Sequence, residues 1–317
     1  AASDVYKRQI MRRGVKIACA VAAASALIVS MSACGSTNGG DKVALLVSTL
    51  NNPFFVDLRD GAQAEAEKLG VDLQVSDAQN DSAKQQDQAQ NAQSQGAKAV
   101  IINPVDSDAA GPAVAPLLSA NLPVISVDRS VTGEKVTSHI ASDNVAGGAQ
   151  AADTLANSMG EKGEVLILQG IPGAASTRDR GKGFKDRIKK YSNIKVVAEQ
   201  TANFDRAEAL NVATNLLQSH PNATGIYAEN DEMALGAIQA LGAKAGKEIK
   251  VVGFDGTVDG MKAIKAGAMA GTIAQQPKEL GRSAVAAAVK AIKGQSVPKT
   301  EPITVKTVTI KNVGDFE

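Results

Sequence analysis

The chain has 317 residues, 44% hydrophobic and 21% charged, with a formal net charge of +1, an ordinary globular composition with room for two domains. The near-neutral total hides an asymmetry: residues 1–34 carry five Lys or Arg and one acid, leaving 29 basic and 32 acidic residues downstream. No basic stripe remains in the body of the chain, so nucleic acid is not an expected partner.

The leader comes first. Residues 1–10 precede Met11 and read as upstream sequence or an expression artefact, outside the fold. From Met11, "RRGVKI" and then "ACAVAAASALIVSMSA" give a charged n-region, an apolar h-region and small residues before a cleavage point, a signal peptide over 11–33. The run is too short and too rich in Ala and Ser for a membrane span. "MSAC" resembles the lipobox of bacterial lipoproteins, whose Cys is acylated and becomes the mature N-terminus, so Cys34 is the candidate lipid attachment site. Simple secretion with a free Cys34 is the bland alternative. Once Cys19 leaves with the leader a disulfide framework is excluded. His139 and His220 lie far from each other and from any Cys, so no metal is expected, and no motif calls for a cofactor.

Residues 34–40 form a short Gly/Ser/Asn tether. "KVALLVST" then reads as a strand, and Phe55, Leu58, Ala62, Ala66 and Leu69 follow at helical spacing on one face. "VDLQVSD", "KAVIINP", "PVISVD", "VTSHIAS", "GEVLILQG", "IKVVAEQ", "GIYAEND", "IKVVGFDG" and "AGTIAQQ" repeat the strand pattern, with helical stretches such as "AEALNVATNLLQS" and "RSAVAAAVKAIKG" between them. Apolar strands each followed by a helix imply parallel sheets covered on both faces. There are too many units for one sheet, so two doubly wound α/β domains are expected, the second beginning near "SDNVAGGAQAADTLA".

Ligands of such sheets bind beyond the carboxyl ends of the strands. Those ends carry a polar set: Asn52, Asp128 with Arg129, Asn230, Asp255 and Gln275. Each has a plain structural reading, since Asn52 before Pro53 is a good helix N-cap, Asn230 or Asp231 can cap the next helix, and Asp255-Gly256 can be a turn. Five such ends in succession favour a polar pocket. The adjacent Phe54 and Phe55 stand out among only six Phe, three Tyr and no Trp. Consecutive helical residues point about 100° apart, so the two rings are not expected to share one core-facing stripe. No phosphate-binding glycine motif and no G-x-S-x-G elbow occurs. "QGIPGAAS" at 169–176 is a strand-to-helix turn that can hold an anion but reads more simply as a turn. Binding without chemistry is the expectation.

Taken in order, "KVALLVSTLNNPFFVDLRDGAQAEAEKLG", "INPVDSDA", "SVDRS", "SHIASDN", "LQGI", "RDRGKGF", "NFDRAEALNV", "ENDEMALGA" and "VVGFDGTVDG" resemble the sugar-binding periplasmic proteins of bacterial ABC uptake systems. The likeness runs from about Asp41 to the C-terminus. It implies a type I periplasmic binding protein of the Venus-flytrap kind, with two doubly wound parallel-sheet lobes joined by a three-crossover hinge. The implied lobes are 41–142 plus 276–304 and 143–275 plus 305–317. Family contacts fall on Asn52, Phe54, Phe55, Asp128, Arg129, Arg180, Phe204, Asn230, Asp255 and Gln275, with Arg178 peripheral, and the pocket residues favour ribose. Phe55 and Phe204 would cover opposing faces of the sugar ring and Phe54 would wall the pocket. The resemblance further implies a monomer outside the membrane, delivery to an ABC permease, and a chemoreceptor as an allowed additional partner. The rivals are a receptor for another monosaccharide or sugar-like signal, a sugar-responsive repressor, and an extracytoplasmic sugar enzyme. The repressor would need a helix-turn-helix where the signal peptide stands.

Overall fold

The computed structural model describes residues 40–316; the leader, Cys34 and the tether as far as residue 39 lie outside that range. Among the described residues, twelve strands divide between two six-stranded sheets. The first joins β1 (Lys42–Val47), β2 (Asp72–Asp77), β3 (Ala99–Ile102), β4 (Val124–Val127), β5 (Ser138–Ser142) and β11 (Thr300–Ile303) in the order β11-β5-β4-β3-β1-β2. The second joins β6 (Lys162–Gln169), β7 (Asn193–Thr201), β8 (Ala223–Ala228), β9 (Lys250–Asp255), β10 (Gly271–Ala274) and β12 (Lys306–Thr309) in the order β12-β10-β9-β8-β6-β7. Apart from β11 and β12, each sheet has the same doubly wound order, with its first strand between its second and third.

Nine α-helices cover the sheets among the described residues: α1 (Pro53–Leu69), α2 (Ser82–Ser94), α3 (Gly111–Ser119), α4 (Asn144–Ser158), α5 (Ala175–Ile188), α6 (Arg206–Ser219), α7 (Asp231–Leu241), α8 (Val258–Lys265) and α9 (Pro277–Ile292). The reason the strands read as apolar throughout is visible at β1. Val43, Leu45 and Val47 enter the core on one face, and Ala44 and Leu46 enter the core on the other.

Two features depart from the sequence expectation. The pairing is not wholly parallel, because β12 runs antiparallel to β10. It and β11 are four-residue edge strands, "KTVT" and "TEPI", with too few apolar residues to announce themselves. Leu69, placed on the buried stripe of α1, is 39% exposed, because α1 ends there in a left-handed Gly70 cap.

In each sheet's set of helices one pair crosses closely through reciprocal glycines. A Cβ on Gly61 of α1 would stand 2.1 Å from the Lys278 carbonyl oxygen, and one on Gly281 of α9 would stand 2.1 Å from that of Leu58. Gly148 of α4 and Gly183 of α5 face the carbonyls of Arg180 and Val145 in the same manner, at 2.2 and 2.0 Å. Only glycine allows backbones so close.

The chain passes between the sheets after β5, after β10 and after β11. These crossings are tied together: the Asp143 N–H donates to Ile303 O at 3.1 Å and Gln276 Nε2 to Thr304 O at 2.9 Å.

Candidate functional site

The carboxyl ends of the two sheets meet across one cleft. Asn52, Phe54, Phe55, Asp128, Arg129, Arg180, Phe204, Asn230, Asp255 and Gln275 all line a single pocket in this cleft, and Ser176 joins them. The ten residues singled out in the sequence are therefore brought together, from both sheets.

Local structure explains each position. Asn52 is the N-cap of α1, its Oδ1 accepting from the Phe54 N–H at 2.9 Å, with Pro53 opening the helix. Asn230 caps α7 through the Met233 N–H at 2.9 Å and donates from Nδ2 to Phe204 O at 3.3 Å. For both, cap and cavity wall are the same residue. Phe54 and Phe55 are 4% and 3% exposed and pack edge-to-face at 5.1 Å. Both line the cavity and both belong to the core of the first sheet. They need not share one stripe, because the start of α1 is covered on two sides, by the sheet and by the cleft.

Backbone strain gathers here. Asp128, Phe204 and Asp255 have φ of +65°, +61° and +124°, left-handed values that are uncommon for Asp and costly for Phe. The Phe204 ring also needs the bare Cα of Gly170, where a Cβ would lie 2.0 Å from the ring. The turn "QGIPGAAS" does meet a carboxyl group, but an internal one: the Gly170 N–H donates to Glu229 Oε2 at 2.8 Å. Gly173 of the same turn lies against the Asp106 carboxylate, across the cleft.

The four charged residues are buried and braced. Arg129 donates from Nη1 to Pro104 O and Val105 O, both at 3.0 Å, and its Nε lies 3.7 Å from Asp128 Oδ2. Arg180 donates to Asn144 Oδ1 at 2.8 Å and to Glu229 O at 2.7 Å, and its guanidinium sits 3.9 Å above the Phe254 ring. Asp255 Oδ1 accepts from Gln275 Nε2 at 2.7 Å and lies 3.7 Å from Arg180 Nη1. Arg129 stands 5.4 Å from the ring centres of both Phe55 and Phe204. Burial lowers the Arg129 pKa, opposed by the neighbouring Asp128. Burial raises the Asp255 carboxyl well above the usual range, opposed by Arg180.

After this bracing, Asp128 Oδ1, Arg129 Nε and Gln275 Oε1 remain buried with no hydrogen-bond partner in the protein. Unpaired buried polar atoms are costly, so atoms of this kind grouped around one cavity mark a place built for a polar ligand. Phenyl rings beside them suit a ligand that also has apolar faces.

Sequence reasoning missed the supporting layer. Asn103, Asn144, Phe254 and Ser176 hold or complete the site, and of these Asn103 and Asn144, just past the ends of β3 and β5, carried a strand-end signal of their own. Among the described residues no cluster of His, Cys, Asp and Glu is arranged to hold a metal ion.

Two doubly wound sheets facing one polar and aromatic cleft define a two-lobed α/β ligand-binding protein. The chain belongs to the periplasmic binding protein family, whose domain description matches residues 43–296. It is 48% identical over 284 residues to the ribose import binding protein RbsB of Escherichia coli (strain K12), covering 90% of this chain and 96% of that one. With the protein of the same name from Bacillus subtilis (strain 168) it shares 43% identity, over 87% of this chain and 90% of that one. Among solved structures, the Caulobacter myo-inositol binding protein bound to myo-inositol superimposes with a TM-score of 0.83 at 37% identity, covering 89% of this chain and 96% of that one. A periplasmic solute binding protein from Actinobacillus succinogenes with bound D-allose gives 0.81 at 34% identity, covering 86% and 99%.

Proposed function

We propose that this protein is an extracytoplasmic receptor that captures ribose by closing its two lobes and delivers it to the permease of an ABC importer, without catalysing a reaction. The observation that carries the reading is the cavity wall. Buried acceptor and donor atoms left without protein partners stand beside Phe54, Phe55 and Phe204, as the hydroxyls and C–H faces of a sugar require. The similarity to ribose import binding proteins over nearly the whole chain selects ribose among the sugars. Asp128 and Asp255 are ligand acceptors in this reading, each set beside an arginine, and not an acid/base pair. The lobes are 41–142 plus 276–304 and 143–275 plus 305–317, and the ligand stabilises the closed state because only that state touches it from both sides.

Calorimetric titration against a panel of pentoses and hexoses tests the reading. Ribose is expected to bind tightest and to be recovered unchanged. Preference for another monosaccharide would establish the rival receptor, and turnover of any sugar would establish an enzyme. A lipid on Cys34 completes the proposal, with a monomer tethered to the membrane on its extracytoplasmic side, at the cell surface or in the periplasm, and a chemoreceptor as a further partner. Cys34→Ala should release the mature protein from membranes, and a wild type recovered soluble without detergent would refute the anchor.

A further inference from the structure

We propose that Asn103 is a positioning residue for ligand recognition, its amide fixing the Asp128 carboxylate so that Oδ1 is the oxygen offered to a sugar hydroxyl. The inference rests on the binding role proposed above and deepens it. Asn103 follows β3 directly, is fully buried and spends its side-chain hydrogen-bonding capacity on the ends of two other strands, β1 and β4. Its Oδ1 accepts from the Ser48 N–H at 3.1 Å, while Nδ2 donates to Val127 O at 3.2 Å and to Asp128 Oδ2 at 3.1 Å. A backbone N–H can only donate and a carbonyl can only accept, so the amide has one permitted orientation.

The amide itself cannot drift. The Asn103 N–H donates to Leu46 O at 2.8 Å, and Gln85 clamps the loop, donating to Asn103 O at 2.9 Å and accepting from the Val105 N–H at 3.0 Å. The next two residues give their carbonyls to Arg129. One three-residue loop therefore holds both members of the Asp128–Arg129 pair. On the Asp128 side, the left-handed backbone and an N–H bond to Ile140 O at 2.8 Å fix where the side chain starts. The last torsion of an Asp is soft, and Asn103 sets it by engaging Oδ2. Oδ1 is then the oxygen left without a protein partner. An acceptor held in one direction discriminates between hydroxyl arrangements better than a freely rotating one.

The test is a double-mutant cycle read by calorimetry with the purified protein and any sugar of the panel that the wild type binds. Asn103→Ala should weaken binding about 10- to 100-fold, the scale of one charge-assisted hydrogen bond. In an Asp128→Ala background the same change should do almost nothing, because the amide has no carboxylate left to orient. A merely structural Asn103 would weaken both backgrounds equally, and that result overturns the inference. Asn103→Asp keeps the shape but sets an oxygen against Asp128 Oδ2. Its loss should be at least as large, and smaller in an Asp128→Asn background, where the new amide can donate back. Should Asn103→Ala fail to fold, equal losses of Asn103→Asp in the two backgrounds overturn the inference instead. Because any bound sugar serves, a failure of ribose alone sinks the functional reading and leaves this assignment to its own result. A wild type that binds no sugar of the panel sinks both.

Discussion

At the scale of the residue, rings and charges in the cleft do different work, and substitution separates them. Phe204→Ala removes apolar cover and leaves the braced charges in place, so it should cost about 1–3 kcal/mol of ribose binding and a similar amount for deoxyriboses. Asp128→Ala leaves Arg129 without its carboxylate, since their closest approach is 3.7 Å and both are buried. It should cost roughly 2–5 kcal/mol and narrow the gap between ribose and its deoxy analogues. Titration of both variants against that series decides, and wild-type affinity in Asp128→Ala would reduce this residue to a turn.

A second residue titrates out of sight of the ligand. Glu229 is fully buried, one oxygen bonded to the Gly170 N–H, and burial pushes its pKa up to about 8. Between its ordinary value and 8 the folded state therefore holds a proton that the unfolded chain has lost. Stability falls as pH rises through that window, by up to about 5 kcal/mol. Glu229→Gln should flatten the profile and be the more stable form at pH 8. Thermal unfolding of both proteins from pH 5 to 8 checks this, and parallel profiles would show that Glu229 does not titrate there.

At the scale of the element, the reciprocal glycine crossings fix how the helices carry site residues. The α1–α9 crossing seats the helix that begins with Phe54 and Phe55, and the α4–α5 crossing seats the helix that bears Arg180. Gly281→Ala and Gly183→Ala each drive a methyl group against a backbone oxygen at about 2 Å, which the helices can relieve only by moving apart. Overpacking of this kind costs about 1–3 kcal/mol. Both changes should lower the unfolding free energy by that amount, read as a lower denaturation midpoint. Gly183→Ala should also weaken ribose binding, since α5 carries Arg180 into the cleft. An unchanged midpoint in either variant would mean that the crossing has room for a methyl group.

At the scale of the whole molecule, contact between the lobes reaches beyond the cavity. The Ser107 N–H donates to Gly173 O and the Ala175 N–H donates to Ser107 Oγ, both at 3.0 Å. Outside them Arg178 pairs with Asp108 at 3.1 Å, with side chains 43% and 57% exposed, so that rim pair adds at most about 1 kcal/mol to closure. Arg178→Ala should change ribose affinity less than about fivefold, whereas ribose itself should drive the closed population. Small-angle scattering at saturating ribose should show a smaller radius of gyration than without it. An unchanged radius with binding confirmed would mean a site formed by one lobe or a permanently closed molecule.

Much of the architecture was legible in the chain because its signals are local. An apolar run followed by a helical stripe makes a βα unit wherever it falls, and parallel pairing then puts every strand's carboxyl end on one edge. That is why Asn52, Asp128, Asn230, Asp255 and Gln275 could be grouped before any contact was known. The short polar strands β11 and β12 were not legible, because they depend on the neighbour that receives them. Nor were the pairings that leave Asp128 Oδ1, Arg129 Nε and Gln275 Oε1 open, or the roles of Asn103 and Asn144, which join residues 25 and 36 positions apart. A hydrogen bond between distant segments carries no periodicity and demands no particular spacing. Sequence alone determined the units and the edge on which a site must lie; only tertiary structure decided which polar atoms are spent on the protein and which are kept for a ligand.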